Sequence, residues 1–138
     1  MKRHLTMIFV LCSVVGFGAE TAIAFNEAHL KKLQAFGDCE QCDLSGATLT
    51  EATLMGAYLT EATLSKADLR KAYLTEATLT KADLTEATLT GADLSEADLT
   101  GADLSGADLS GANLENSKLD GAKLCLTQMP WGQDNSGC

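Results

Sequence analysis

The sequence predicts an all-β solenoid of square coils, introduced by a short capping helix, and three observations carry that expectation. Leucine stands at every fifth residue from Leu44 to Leu124, 17 times without a break, and 15 of these leucines have an alanine two positions earlier. A helix needs apolar residues about 3.6 apart and a strand about 2 apart, so a period of five belongs to an internally repeated array. Each unit also reads small, polar, Leu, Ser or Thr, then Gly or a charge, as in Ala92-Asp93-Leu94-Ser95-Glu96. If Leu and Ala both turn inward, one unit makes one side and one corner, and four units close a square of 20 residues. Such a coil would stack residue i over i+20 at about 4.8 Å. Opposite charges do recur at that offset, in Glu51/Lys71, Glu61/Lys81, Lys66/Glu86, Asp98/Lys118 and Asp103/Lys123, against the like pairs Asp83/Asp103 and Glu76/Glu96. Offsets of 15 and 25 give 5 opposite against 5 like and 3 against 5, so four units per coil fits best.

This pattern resembles the pentapeptide-repeat family, A(D/N)LXX, and the resemblance covers residues 42–126. It implies a right-handed quadrilateral β-helix of about four coils. Departures are few: Cys42 and Ser117 replace the small Ala, and every central residue is Leu where relatives mix Leu with Phe. Stability then rests on the Leu stack, at roughly 1.5 to 3 kcal/mol per buried Leu, while the exposed charge ladders, worth about 0.2 to 1 kcal/mol per pair, fix register. Each coil touches only its neighbours, so both ends of the stack need covering.

Residues 1–24 read as an export signal. Lys2 and Arg3 precede a mostly apolar run from Leu5 to Ala19, and Ala22-Ile23-Ala24 supplies small residues for signal peptidase, so residues 1–24 are expected to be removed by cleavage between Ala24 and Phe25. The run is shorter than the ~20 residues a bilayer-spanning helix needs, and no membrane association is expected after cleavage. Cys12 leaves with the leader, and Phe9-Val10-Leu11 before it lacks the small residue that lipidation requires.

Residues 25–41 form the N-terminal capping helix and a cysteine segment. Asn26 caps a helix from about Glu27 to Phe36, with Leu30, Leu33 and Phe36 as one stripe and Gly37 as terminator, and the stripe is expected to lie over the first coil. Residues 127–138 form the C-terminal cap. Pro130 cannot extend a paired central strand, so the chain leaves the coil there and folds Met129 or Trp131 across the open end.

Four cysteines remain after cleavage: Cys39, Cys42, Cys125 and Cys138. Seventeen units make a rod of roughly 20 Å at the strand spacing, beyond the ~7 Å Cα separation a disulfide tolerates. The pairing expected is therefore Cys39 with Cys42 and Cys125 with Cys138, as suits an oxidising compartment. The C-terminal segment Cys125 to Cys138 also resembles the tails of secreted and thylakoid-lumenal members of the family. For Cys39-Glu40-Gln41-Cys42, haem attachment would need His at position 43, which is Asp, zinc would need two more ligands, and a thioredoxin-like role would need a βαβ setting.

Catalytic chemistry finds no support in the sequence. After cleavage one histidine remains, His29, with no Ser/His/Asp set and no glycine-rich phosphate loop, so neither an enzyme nor a cofactor nor a metal is expected. From Phe25 onward 18 acidic and 8 basic residues give a net charge of −10, which disfavours nucleic acid as a partner. Some relatives in the resembled family occupy the DNA site of type II topoisomerases, and residues 42–126 carry −8 against about 12 phosphate charges on 20 Å of B-DNA. Charge allows that mimicry and export opposes it. The expectation is a non-catalytic rod in the bacterial periplasm or a thylakoid-type lumen, serving as spacer or protein-docking scaffold, with Asp93, Glu96, Asp98, Asp103 and Asp108 as candidate partner face. A topoisomerase-binding inhibitor and a thiol-redox accessory are the alternatives, the partner protein is unknown, and a homodimer through a solenoid end is open.

Overall fold

The computed structural model describes residues 26–138, so the expected cleavage between Ala24 and Phe25 falls outside the described residues. A square coil follows from the chemistry of its corners. At each one the alanine N–H returns to the carbonyl of the leucine three residues before it, as in Ala47 to Leu44 at 3.0 Å. The residue before that alanine takes the left-handed conformation. All eighteen positions from Gln41 to Leu126 do so, with φ between 55° and 71°, and eleven of them are not glycine. A turn with positive φ at its third residue requires this, and the β-carbon crowding it brings costs roughly 1 kcal/mol per non-glycine corner.

Between corners, single β-bridges run parallel from each coil to the next at a strict offset of 20 residues. They trace four ladders, one per side. The first side is Asp38–Tyr58–Thr78–Asp98–Lys118, the second Asp43–Thr63–Asp83–Asp103–Lys123, the third Thr48–Asp68–Thr88–Asp108–Gln128 and the fourth Thr53–Tyr73–Asp93–Asn113. The ladders therefore reach from Asp38 to Gln128, a little beyond the repeat read as residues 42–126. Each bridge is held by paired bonds, as where Leu64 N–H donates to Asp83 O at 2.7 Å and Asp83 N–H donates to Ala62 O at 2.9 Å.

The core is the column inside the square. Leucines from Leu44 to Leu109 and the alanines between them are buried, the central ones completely. Cys39 and Met129 continue the leucine position at the two ends and are 0% and 1% exposed. Among the described residues no buried side-chain polar atom lacks a hydrogen-bond partner.

Helix α1 (Glu27–Phe36) covers the first coil. Asn26 caps it by accepting the Ala28 N–H at 3.1 Å, and Gly37 ends it in the left-handed conformation, donating to Leu33 O. Leu30 and Leu33 are buried in one apolar cluster with the first-coil leucines, of which Leu49 and Leu54 are 1% and 2% exposed. Phe36, expected on the same stripe, is instead 72% exposed. Three-residue steps fall 60° short of a full turn each, so Phe36 lies about 120° round the helix from Leu30 and misses the coil.

At the other end β1 (Thr127–Met129) continues the third side, the chain reverses through Pro130 and Trp131, and β2 (Gly132–Asp134) returns antiparallel to it. Met129 closes the column while Trp131 is 68% exposed, so the methionine alone does the covering considered for either residue. Leu124 N–H then donates to Ser136 O at 2.9 Å, laying the tail along the second side. Among the described residues nothing pairs with the fourth and first sides at this end. There Leu114, Leu119 and Ala122 are half-buried, and among the described residues the N–H groups of Leu114, Asn116, Leu119 and Gly121 meet no backbone carbonyl.

Candidate docking surface

Outward-facing side chains are fixed by local chemistry before any partner is considered. The residue before each leucine points out of the coil, and where it is Asp its carboxylate folds back onto the residue two positions on. Asp93 accepts the Ser95 N–H at 3.1 Å and the Ser95 hydroxyl at 2.7 Å, and Asp43 and Asp83 repeat the arrangement with Ser45 and Thr85. Asp98 and Asp108 accept the N–H of Thr100 and Ser110 at 3.0 and 2.9 Å. Small polar side chains favour such local bonds, which is why Asp and Ser or Thr flank the leucines.

These bonds stabilise the ionised form. The Ser95 hydroxyl and then its N–H hold the Asp93 carboxyl below its ordinary value, and Ser110 does the same for Asp108. Thr100 lowers Asp98 with a smaller contribution from Lys118. For Asp103, partial burial pushes upward most strongly, but the Ser105 bonds and then Lys123 together outweigh it. At Asp68 the guanidinium of Arg70, with Nε at 2.8 Å and Nη2 at 2.6 Å, is the main cause of lowering.

The five residues read as one partner face do not share a face. Asp98, Asp103, Asp108 and Asp93 lie on the first, second, third and fourth ladders respectively, and Glu96 occupies the corner between the fourth and first sides. Five residues advance the chain by one side, so they form a belt around the rod. Two are also partly neutralised, Lys118 standing 3.5 Å from Asp98 and Lys123 standing 3.0 Å from Asp103. Of the other opposite charges expected 20 apart, Lys66/Glu86 and Lys71/Glu51 meet at 3.7 and 3.8 Å. Glu61 does not meet Lys81, because it accepts the Gln41 amide at 2.9 Å from the coil above.

Both pairs of cysteines are joined. Cys39–Cys42 closes the first corner with Cα atoms 5.2 Å apart, and Cys125–Cys138 ties the tail to the last coil with Cα atoms 4.7 Å apart. The first bridge is buried, Cys42 being 2% exposed, and the Cys39 sulfur lies 3.1 Å from the His29 carbonyl oxygen of α1. His29 further ties the helix down by accepting the Asp43 N–H on Nδ1 at 2.9 Å. Among the described residues no group of three or more His, Cys, Asp or Glu is placed to hold a metal ion. No described helix is long and apolar enough to cross a membrane.

Comparison with known proteins agrees with this architecture. The family described as pentapeptide repeats matches residues 38–75, 54–91, 67–106 and 92–127, with 8 copies. A crystal structure of a pentapeptide repeat protein from the cyanobacterium Cyanothece 51142 is 26% identical, covers 75% of this chain and 96% of its own, and has a TM-score of 0.59. A pentapeptide repeat protein from Nostoc PCC 7120 is 35% identical over 75% of this chain and 78% of its own, with a TM-score of 0.33. One from the Arabidopsis thaliana thylakoid lumen is 33% identical over 67% of this chain and 65% of its own, with a TM-score of 0.25. No curated protein matches the chain.

Proposed function

Since the chain belongs to the pentapeptide-repeat family and is a right-handed quadrilateral β-helix with one N-terminal helix, we propose that it is an exported, non-catalytic rod on which another protein docks. The observation that carries this reading is the unbroken set of ladders between a covering helix and two disulfides. They hold outward side chains in straight rows at a spacing of about 4.8 Å, a rigid template with little ordering entropy left to lose on binding. Export is supported by the leader read in residues 1–24 and by the two bridges, which persist in oxidising compartments.

The test is the intact mass of the protein from separated cell fractions, after thiol alkylation with and without reduction. A species beginning at Phe25 outside the cytoplasm, alkylated at four thiols only after reduction, is the expected result. A full-length cytoplasmic species with five free thiols overturns export and promotes the topoisomerase-binding alternative, which inhibition of supercoiling would then test. Burial of Cys39 and Cys42 under α1 weighs against thiol exchange as the function.

The half-covered last coil favours one addition to this reading, a pair of copies meeting at their C-terminal ends. Among the described residues the N–H groups of Leu114, Asn116, Leu119 and Gly121 meet no backbone carbonyl, an open strand edge of the kind that invites another chain. Sedimentation equilibrium distinguishes the pair from a monomer, and a monomer at every concentration removes it.

A further inference from the structure

The fourth and first sides meet along one edge, and that edge gathers what the rest of the rod avoids. Four of the six exposed large apolar side chains of the described residues lie at its upper end: Phe36, Met55, Tyr58 and Tyr73, between 43% and 72% exposed. Tyr73 bridges to Thr53, and Met55 follows Thr53 by two residues on the same side. Tyr58 stands just round the corner at Gly56. Phe36 precedes Gly37, whose carbonyl accepts the Tyr58 N–H at 2.9 Å. A Cβ added at Gly56 would meet nothing within 4 Å, so the corner between these side chains is bare, a notch only in the sense that no side chain fills it.

Below the notch the edge is acidic. Its corner ladder continues as Glu76, Glu96 and Asn116, with like charges stacked in adjoining coils, whereas each of the other three corner ladders contains at least one lysine. Asp93 and Asp98 flank it on the two sides. Among the described residues the cations on these sides are Lys118, which stands at Asp98, and Lys32 of α1, 3.8 Å from Asp38 at the top of the first side, and neither reaches the Glu76 and Glu96 corners by an ion pair. Like charges directly opposite across a ladder are unfavourable, and clustered exposed aromatics mark interaction sites.

We propose that this edge docks a protein segment that places large apolar side chains in the notch and Lys or Arg against Glu76 and Glu96, one to two coils below. One partner chemistry relieves both features. It covers Met55 and the tyrosines, and it supplies the positive charge that the corner lacks. Tyrosines with an acidic flank suit a cationic segment twice over, since the rings also attract Lys and Arg. An anionic lipid surface would be repelled by the same acids.

This inference rests on the docking reading above and names its face and partner. The test titrates the protein with an 18-residue helical peptide of Leu and Lys, with an equally charged Lys peptide, a Leu and Glu peptide and neutral phosphatidylcholine vesicles as comparisons. Binding of the Leu and Lys peptide alone is expected, with amide shifts concentrated at Phe36, Met55, Tyr58, Tyr73 and Glu76. Replacing Met55, Tyr58 and Tyr73 by Thr should weaken it at least about tenfold. Thr already fills these outward positions elsewhere, as Thr53, Thr75 and Thr78, so the fold is retained. Glu76→Lys with Glu96→Lys should weaken it similarly, lysine being accommodated at the corners of Lys66 and Lys71, and Glu86→Lys on the opposite edge should not. Equal binding by the Lys peptide, undiminished binding by these variants, or insertion into vesicles overturns the proposal. Shifts confined to another side overturn it too, while leaving the docking reading standing.

Discussion

Cys39 and Leu59 occupy the same inward position in successive coils of the first side, joined by the bond from Cys39 N–H to Tyr58 O at 2.8 Å. Cys42 likewise stands where later units carry alanine. The disulfide is thus a leucine–alanine corner contact converted into a covalent bond, and any other corner offers the same geometry. The Ala87 N–H returns to Leu84 O at 3.1 Å, as the Cys42 N–H returns to Cys39 O. Leu84→Cys with Ala87→Cys should form a third bridge under oxidising conditions, visible as two fewer alkylated thiols by mass spectrometry. Two freely alkylated thiols in the folded protein would deny the equivalence of the corners.

Leu84 is wholly buried, whereas its neighbour Thr85 faces out and bonds Asp83. Leu84→Ala should cost about 2 to 5 kcal/mol by urea unfolding, and Leu84→Lys should abolish the β-sheet circular dichroism because it buries an unpaired charge. Thr85→Lys should leave the spectrum unchanged. Equal tolerance of both lysines would refute the inward leucine column.

Corner strain can be read separately from corner crowding. Gly56 and Gly101 have φ of 63° and 68°, but an added Cβ meets nothing at Gly56 and lies 3.4 Å from Lys81 Cγ at Gly101. Gly56→Ala should lose about 1 kcal/mol from the backbone alone, and Gly101→Ala somewhat more. Guanidinium midpoints measure both, and a stabilised Gly56→Ala would contradict the left-handed corner.

Acid should loosen the belt of turns. Asp93, Asp98, Asp103 and Asp108 titrate lower when folded than when unfolded. Their contribution is therefore complete above the unfolded value of about 3.9 and disappears as pH falls through the lower folded values. Asn113 shows the neutral replacement, accepting the Glu115 N–H at 3.1 Å in the same turn. The fourfold Asp→Asn variant should melt close to the parent at pH 7 and lose less of its melting temperature between about pH 4 and 2. A parallel acid decline in both proteins would place the sensitivity elsewhere.

The coil was readable because its period is imposed by one large side chain per corner, and nothing tertiary competes with that pattern. The same arithmetic could have read two features of the ends. Met129 falls five residues after Leu124 and so stays inward, while Trp131 falls twenty after Gly111, a corner, and so turns out. It would also have separated Asp93, Asp98, Asp103 and Asp108, since each five-residue step changes side. What the period could not supply is choice among partners of similar strength, as where Glu61 takes Gln41 rather than Lys81. The register gathers Met55, Tyr58 and Tyr73 about one corner, whereas Phe36 joins them only through the hand-over from α1 to the first ladder, where the Tyr58 N–H donates to Gly37 O.

The twenty-residue offset makes the rod a rotary as well as a linear device. Loss of a whole coil would shorten it by about 4.8 Å and keep every later residue on its own side. Loss of a single five-residue unit would hardly change its length, yet would swing everything beyond it by a quarter turn. The notch beside Gly56 and the clamp at Cys125 and Cys138 are held at one angle about the axis by the number of units between them. Insertions of one, two or three units therefore re-aim one end of the rod against the other.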